Sequence, residues 1–255
     1  MFLNRSRDTR KSAPPEYDAS TEPDWRRISN GHSATWHDHR AHWMGANDPP
    51  AVRDDPGNRH VVIEDWEIPI VVDGTEAAVR GDVTWVPGPA VWPWVLVALT
   101  LFVAAIALGR TRRWPTVLVV ELVLLVALET SHIVGLWLGT TGTLGTQVEA
   151  NVYSFLGVLL GAYALWRLAR RPDPYDATPA ALVAAIVLFV AGGLADISTL
   201  GSSQLPTALA PVLARLGVAV SLGAGAGVAT VAAMRLRRPG GAASARASRL
   251  RGRAA

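Results

Sequence analysis

An α-helical membrane bundle of five transmembrane helices, preceded by a small β-sandwich-like domain outside the cytoplasm, is the fold class that this 255-residue sequence predicts. Three observations carry it. Composition changes sharply at Gly88. Residues 1–88 hold 10 Lys and Arg against 15 Asp and Glu, a balance of −5, whereas residues 89–255 hold 14 against 6, a balance of +8. Behind that boundary lie five stretches long and apolar enough to span a bilayer, for which about 20 residues are needed. Ahead of it lies a β-rich run broken by Asp73-Gly74, a strong hairpin signal. Three units follow: a β-rich domain at 1–88, a five-helix membrane domain at 89–238, and a disordered basic tail at 239–255.

The apolar stretches are 90–108, 115–138, 150–168, 179–200 and 207–234. Arg110, Arg112 and Arg113 follow the first, Arg167, Arg170 and Arg171 the third, and Arg235, Arg237 and Arg238 the fifth. The connections 139–147 and 201–206 carry no Lys or Arg. Basic residues collect in cytoplasmic loops, so the first, third and fifth spans run inward and the C-terminus is cytoplasmic, in the plasma membrane. Trp92, Trp94 and Trp137 fall at the outer ends and Trp114 and Trp166 at the inner ends, as an aromatic belt requires.

This orientation puts residues 1–88 outside. Met1 to Pro15 contain no apolar signal core, although an exported domain of this size calls for one. The expectation is a missing upstream segment. Strands also look too few. His60 to Val72 reads as one strand, Asp73-Gly74 as a turn and 77–86 as the returning strand. Pro69 marks an edge or a bulge. Residues 32–44 read as a further strand and 45–59 as loop. So few strands cannot close a sandwich, which also points to missing upstream strands. Pro87-Gly88-Pro89 is a short stiff link to the first span.

The run Trp36-His37-Asp38-His39-Arg40-Ala41-His42-Trp43-Met44 carries the chemistry of the front half. On a strand, His37 and His39 point the same way and can share one ion, with His42 and Met44 as further donors. Imidazole plus thioether suits copper, and imidazole alone suits copper or, less well, zinc. The alternative is a scaffold, in which Asp38 pairs with Arg40, the Trp rings are core and the His side chains are hydrogen-bonded. His60 is a further candidate ligand.

That run, with Phe2-Leu3-Asn4-Arg5, Pro23-Asp24-Trp25, Pro49-Pro50, Asp65-Trp66 and Gly81-Asp82-Val83-Thr84-Trp85-Val86-Pro87, resembles an uncharacterised family of bacterial membrane proteins. The resemblance covers residues 2–88, and the membrane region in general pattern. It implies a signal peptide, an extracytoplasmic β domain bearing a WHDHRxHWM signature and a helical membrane region. It implies no biochemical activity. The architecture is also distantly similar to copper-resistance proteins that join a small β-sandwich to a helical membrane domain.

Ionisable residues inside spans are costly and are functional candidates by default. Glu121, Glu129 and His132 share one face of the second span, Asp196 lies in the fourth and Arg215 in the fifth. At 1.5 Å per residue, Glu129, His132 and Asp196 rise about 21, 25 and 27 Å from the cytoplasmic ends. Asn151 and Tyr153 open the third span at that level. Such a cluster can bind a metal ion or relay protons. The plainer alternative is an Asp196–Arg215 ion pair that holds the bundle together. Glu121 is deep and has no obvious partner. Glu129-x-x-His132 is half of a di-metal bundle motif, and the chain has one such pair. Gly217, Ser221 and Gly225, with Gly223 and Gly227, form a close-packing face suited to the bundle or to a homodimer.

Zero Cys excludes disulfides and thiolate chemistry. No P-loop, GxSxG, HExxH or dinucleotide fingerprint points to an enzyme. The Arg-rich tail suits anionic lipid, and no nucleic-acid partner is expected. Three functions follow. The leading one is copper handling by an outward-facing β domain. Another is a structural or assembly partner in a membrane complex. The third is a transporter using the intramembrane Glu/His/Asp set, against which the sequence predicts no Glu- or Asp-lined helix break.

Overall fold

The computed structural model describes residues 27, 29–32, 36, 38–140, 144–170 and 173–237. It divides into two compact units, residues 1–88 and 89–255.

In the first unit, β1 (His60–Val72) and β2 (Thr75–Trp85) form a two-stranded antiparallel sheet. Val72 pairs with Thr75 across Asp73-Gly74. Both turn residues have positive φ, 51° and 79°, which an Asp-Gly pair adopts readily in a tight hairpin. Register shifts lie between Val61 and Ile63 and between Ile63 and Trp66. There Asp65 takes φ 51°, and its amide donates to the Asp82 carboxylate at 2.9 Å. The irregularity thus falls at the acidic end of β1 and not at Pro69, which pairs with Ala78. In a two-stranded sheet both strands are edges, so a missing N–H can face outward without loss.

One expectation is met in part and two are corrected. Among the described residues the sheet has two strands, and a sandwich is not shown. Within 32–44 the described residues form a 3-10 turn at His39–Ala41, not a strand, because the Asp38 carboxylate accepts the Arg40 amide and caps the turn. Within 45–59, α1 (Pro50–Asp54) replaces loop, with Pro50 in the first turn, where its missing N–H costs nothing, and Val52 buried beneath.

The second unit is helical. Helices α2 (Trp92–Gly109), α3 (Trp114–Gly139), α4 (Leu144–Arg170), α5 (Thr178–Phe189) and α6 (Pro211–Leu236) make up its regular part. Five segments are long and apolar enough to cross a membrane, counting α5 together with the turns that flank it. Four helices start with Pro in the first turn. Helix α6 is the centre and packs against α2, α3 and α5. Leu118, Leu122 and Leu125 of α3, Ala184 and Leu188 of α5, and Val228 and Val231 of α6 form the core. Val95, Leu96, Leu99 and Val103 of α2 stay exposed. A row of large apolar side chains facing outward suits lipid rather than water.

The fourth span departs from the continuous helix expected over 179–200. Beyond Phe189 the chain widens into a π turn, Val190–Leu194, closed by the Ala195 amide donating to the Val190 carbonyl at 2.9 Å. A 3-10 turn, Ile197–Leu200, follows. Gly192-Gly193 supplies the weakness, since glycine holds helical geometry poorly. The chain then crosses to α3 without regular structure. Ala208 donates its amide to the Gly135 carbonyl at 2.9 Å, and a Cβ at Gly139 would stand 2.5 Å from the backbone of Thr207 and Ala208. Non-helical backbone of this kind is tolerated inside a membrane protein where protein covers it or where it lines a cavity.

Candidate functional site

Two groups of polar side chains stand out, one in each unit. In the first unit, the 3-10 turn brings His39, His42 and Met44 together. His39 Nδ1 lies 2.6 Å from Met44 Sδ, and the two imidazole centroids are 5.1 Å apart. His42 Nδ1 is 2.9 Å from the Trp43 carbonyl, so it donates there and the lone pair belongs to Nε2. The cleft they line is completed by Trp43, Ile63 and Trp66, and the Trp66 indole Nε1 is buried without a hydrogen-bond partner. Across the hairpin the Trp66 ring covers Gly81, where a Cβ would stand 2.7 Å from it. Asp38 is buried and bound by Arg40 at both oxygens, Nε to Oδ1 at 2.9 Å and Nη2 to Oδ2 at 2.7 Å. The guanidinium holds the Asp38 carboxyl well below the usual range, at about 2. His37 lies outside the described residues. His60 stands apart from this cleft and contacts the Asp55 carbonyl at 2.6 Å.

In the second unit, Glu129 is 2 % exposed and its Oε1 has no hydrogen-bond partner. The Ser154 hydroxyl lies beside it. Glu129 lines a cavity of about 140 Å³ with Ser131, His132, Gly192, Gly217 and Ser221. His132 Nε2 stands 3.3 Å from Asp196 Oδ2. Asp196 sits at the break in the fourth span, just before its 3-10 turn. Arg215 does not pair with Asp196. It is buried and donates to the Ser202 carbonyl at 2.7 Å. Glu121 lies elsewhere, toward Gly227, and its Oε2 is buried without a partner. Of the two residues read at the start of the third span, Asn151 is buried and Tyr153 exposed.

The described residues contain no group of three or more His, Asp or Glu side chains placed to hold a metal ion. The first site therefore depends on a thioether, and the second on one carboxylate with hydroxyls. Comparison with protein-family models, curated proteins and solved structures returned no match.

Sequence reading missed Ser154 and Gly192, and gave Ser221, Trp66 and Arg235 other roles than the ones they take. Gly192-Gly193 was a legible signal for a weak point in the fourth span. The serines gave none, because short hydroxyls are common inside helices. Arg235 reads as one more cytoplasmic charge, yet it is buried. It donates to the Gly109 and Thr111 carbonyls at 2.6 and 3.0 Å, with its guanidinium carbon 5.1 Å from the Trp114 ring centroid. It satisfies carbonyls left open at the C-terminal end of α2.

Proposed function

We propose that this chain is a multi-pass plasma-membrane protein whose first unit faces outward and binds copper(I) through His39, His42 and Met44. The C-terminus is cytoplasmic on this reading. The grouping of His39, His42 and Met44 along one cleft carries it. Imidazole nitrogens and a thioether sulfur on one short turn can reach one ion, and that pairing suits a soft cuprous ion over zinc. The Asp38–Arg40 clamp holds the turn that presents both His39 and His42, as supporting contacts around a metal site do. His37 joins the ligand set by sequence.

The test uses the full chain purified in detergent, titrated with copper(I) against a chromogenic cuprous chelator. One equivalent should bind. Met44→Leu and His39→Ala should each weaken binding at least tenfold, about 1.4 kcal/mol. Binding should also weaken on acidification, because only neutral imidazole ligates. Copper should raise the melting temperature, as any ligand of the folded state must. If copper leaves wild-type stability unchanged while the His variants melt lower with or without metal, the side chains are scaffold. Affinity for zinc that is indifferent to Met44→Leu would replace copper with zinc.

A docking role is favoured by a different observation. Val61, Val71 and Val72 are half-exposed or more on a hairpin that no other strand among the described residues pairs with. A lone hairpin is marginal in water, so a partner strand would complete it. Copper-indifferent protein that co-purifies stoichiometrically with a membrane partner would favour this reading.

A further inference from the structure

We infer that the cavity beside the break in the fourth span is a binding site for one small monovalent cation, with Glu129 and Ser221 among its ligands. This inference does not rest on the copper reading, and it concerns a different unit.

The argument begins with the carboxyl. Glu129 is 2 % exposed, and Oε1 finds no hydrogen-bond donor among its neighbours. An uncompensated buried carboxylate is costly, so the site calls for positive charge. The charged groups that face Glu129 are His132, from its own helix, and Asp196, from the fourth span. They face each other at 3.3 Å. If His132 is protonated it balances Asp196 and leaves Glu129 with one unmatched negative charge. If His132 is neutral, the excess is larger. Helix α4 contributes the Ser154 hydroxyl, and α6 contributes Gly217 and Ser221. Arg215 is engaged with the Ser202 carbonyl and does not line the cavity. No cationic side chain of α6 therefore answers Glu129.

Geometry separates an ion from a proton. The cavity holds about 140 Å³, which is room for an ion and several waters. A proton would need none of it. Gly192 makes room for the carboxylate itself: a Cβ there would collide with Glu129 Oε2 and stand 2.8 Å from Ser221 Oγ. Carboxylate and hydroxyl oxygens from two helices thus come together beside a residue without a side chain, and both side chains line the cavity. The carboxylate and hydroxyl oxygens are hard donors, and with His132 turned to Asp196 they suit a hard monovalent cation rather than a transition metal. The broken helix fits as well. α5 ends at Phe189, and the negative end of its dipole and its unwound backbone lie beside the site. Discontinuous helices that offer carbonyls to small cations recur in membrane transporters.

The experiment uses the full chain in detergent, with sodium, lithium or potassium chloride exchanged against choline chloride at constant ionic strength. Thermal unfolding is followed at fixed pH, and binding of radioactive sodium is measured directly. The expected result is saturable stabilisation by one or two of these ions, with stoichiometric binding. Glu129→Gln should lower the affinity at least tenfold, and Glu121→Gln, outside the cavity, should leave it unchanged. Should Glu129→Gln fail to fold, Ser221→Ala provides the second reading, with a several-fold weaker affinity in a folded protein. Three results would overturn the site: wild type indifferent to all three ions, an unchanged response in both variants, or stabilisation by acid alone with no ion dependence. The last would make Glu129 a proton site.

Discussion

Asp38 and Arg40 show how two residues prepare a cleft. The Asp38 carboxylate accepts the Arg40 amide at 3.0 Å and both ends of its guanidinium, and so fixes the turn that carries His39 and His42. The folded pKa is depressed to about 2. The pair therefore stabilises the fold above the ordinary carboxylate range, and that contribution is lost as pH falls from about 4 through about 2. Arg40 is 49 % exposed, so solvent screens much of the attraction and the stability effect is small. Position matters more than strength. Arg40→Ala should raise the Asp38 pKa toward the ordinary carboxylate range, with the retained amide at position 40 still holding it somewhat below, followed through its carboxyl carbon by NMR on selectively labelled full-length protein. Titration that stays near 2 in the variant would assign the depression to something other than the guanidinium.

At the scale of the element, α6 separates glycines that look alike in sequence. A Cβ at Gly223 would collide with the Ala98 backbone of α2, and one at Gly225 would stand 3.0 Å from the Phe189 side chain. At Gly217 a Cβ meets nothing within 4 Å. Gly223→Ala should destabilise the bundle by about 1–3 kcal/mol, because helix backbones must part to admit the methyl. Gly217→Ala should be neutral or stabilise by up to about 1 kcal/mol through helix propensity alone. Unfolding of the two variants in mixed micelles distinguishes them, and equal losses would mean that α2 and α6 do not approach as described. The small residues thus serve packing within this chain at Gly223, and open space at Gly217.

On the scale of the whole molecule, the basic segments gather at one end of the helical unit. Arg235 reaches the carbonyls of Gly109 and Thr111, next to Arg110, Arg112 and Arg113. Tyr175, in the connection after Arg170 and Arg171, packs on Trp114 with centroids 4.9 Å apart. The Gly135–Ala208 contact closes the opposite end. A single basic end is what the positive-inside rule needs to set a direction. Single Cys residues placed in this Cys-free chain at 110–113 and 167–171 should resist an impermeant thiol reagent in intact cells, whereas those at 139–147 and 201–206 should react. Labelling of the first pair from outside would reverse the proposed orientation.

The five apolar segments were legible in the sequence because a bilayer imposes length and hydropathy on each segment separately, with no knowledge of its neighbours. The β1–β2 hairpin was legible for a similar reason: Asp73-Gly74 chooses its turn locally. Gly192-Gly193 weakens a helix anywhere, but whether the result is a kink, a π turn or a cavity depends on what stands opposite. Here Glu129 and Ser221 stand opposite, and only packing brought them there. Pairing was decided in the same way. Asp196 meets His132 rather than Arg215, and Arg215 turns to the Ser202 carbonyl, because the break in the fourth span redirects the chain before it reaches α6. Turn 39–41 overrode the strand alternation read through His37 and His39, since one Asp38 cap outweighs a weak period-two pattern over a few residues. Residue identity alone determined which side chains can carry charge, which have the chemistry to ligate a soft metal and which segments favour lipid. Tertiary structure decided which of them share a cavity, because a side chain's partners lie on other helices and their register is set by packing of the whole core.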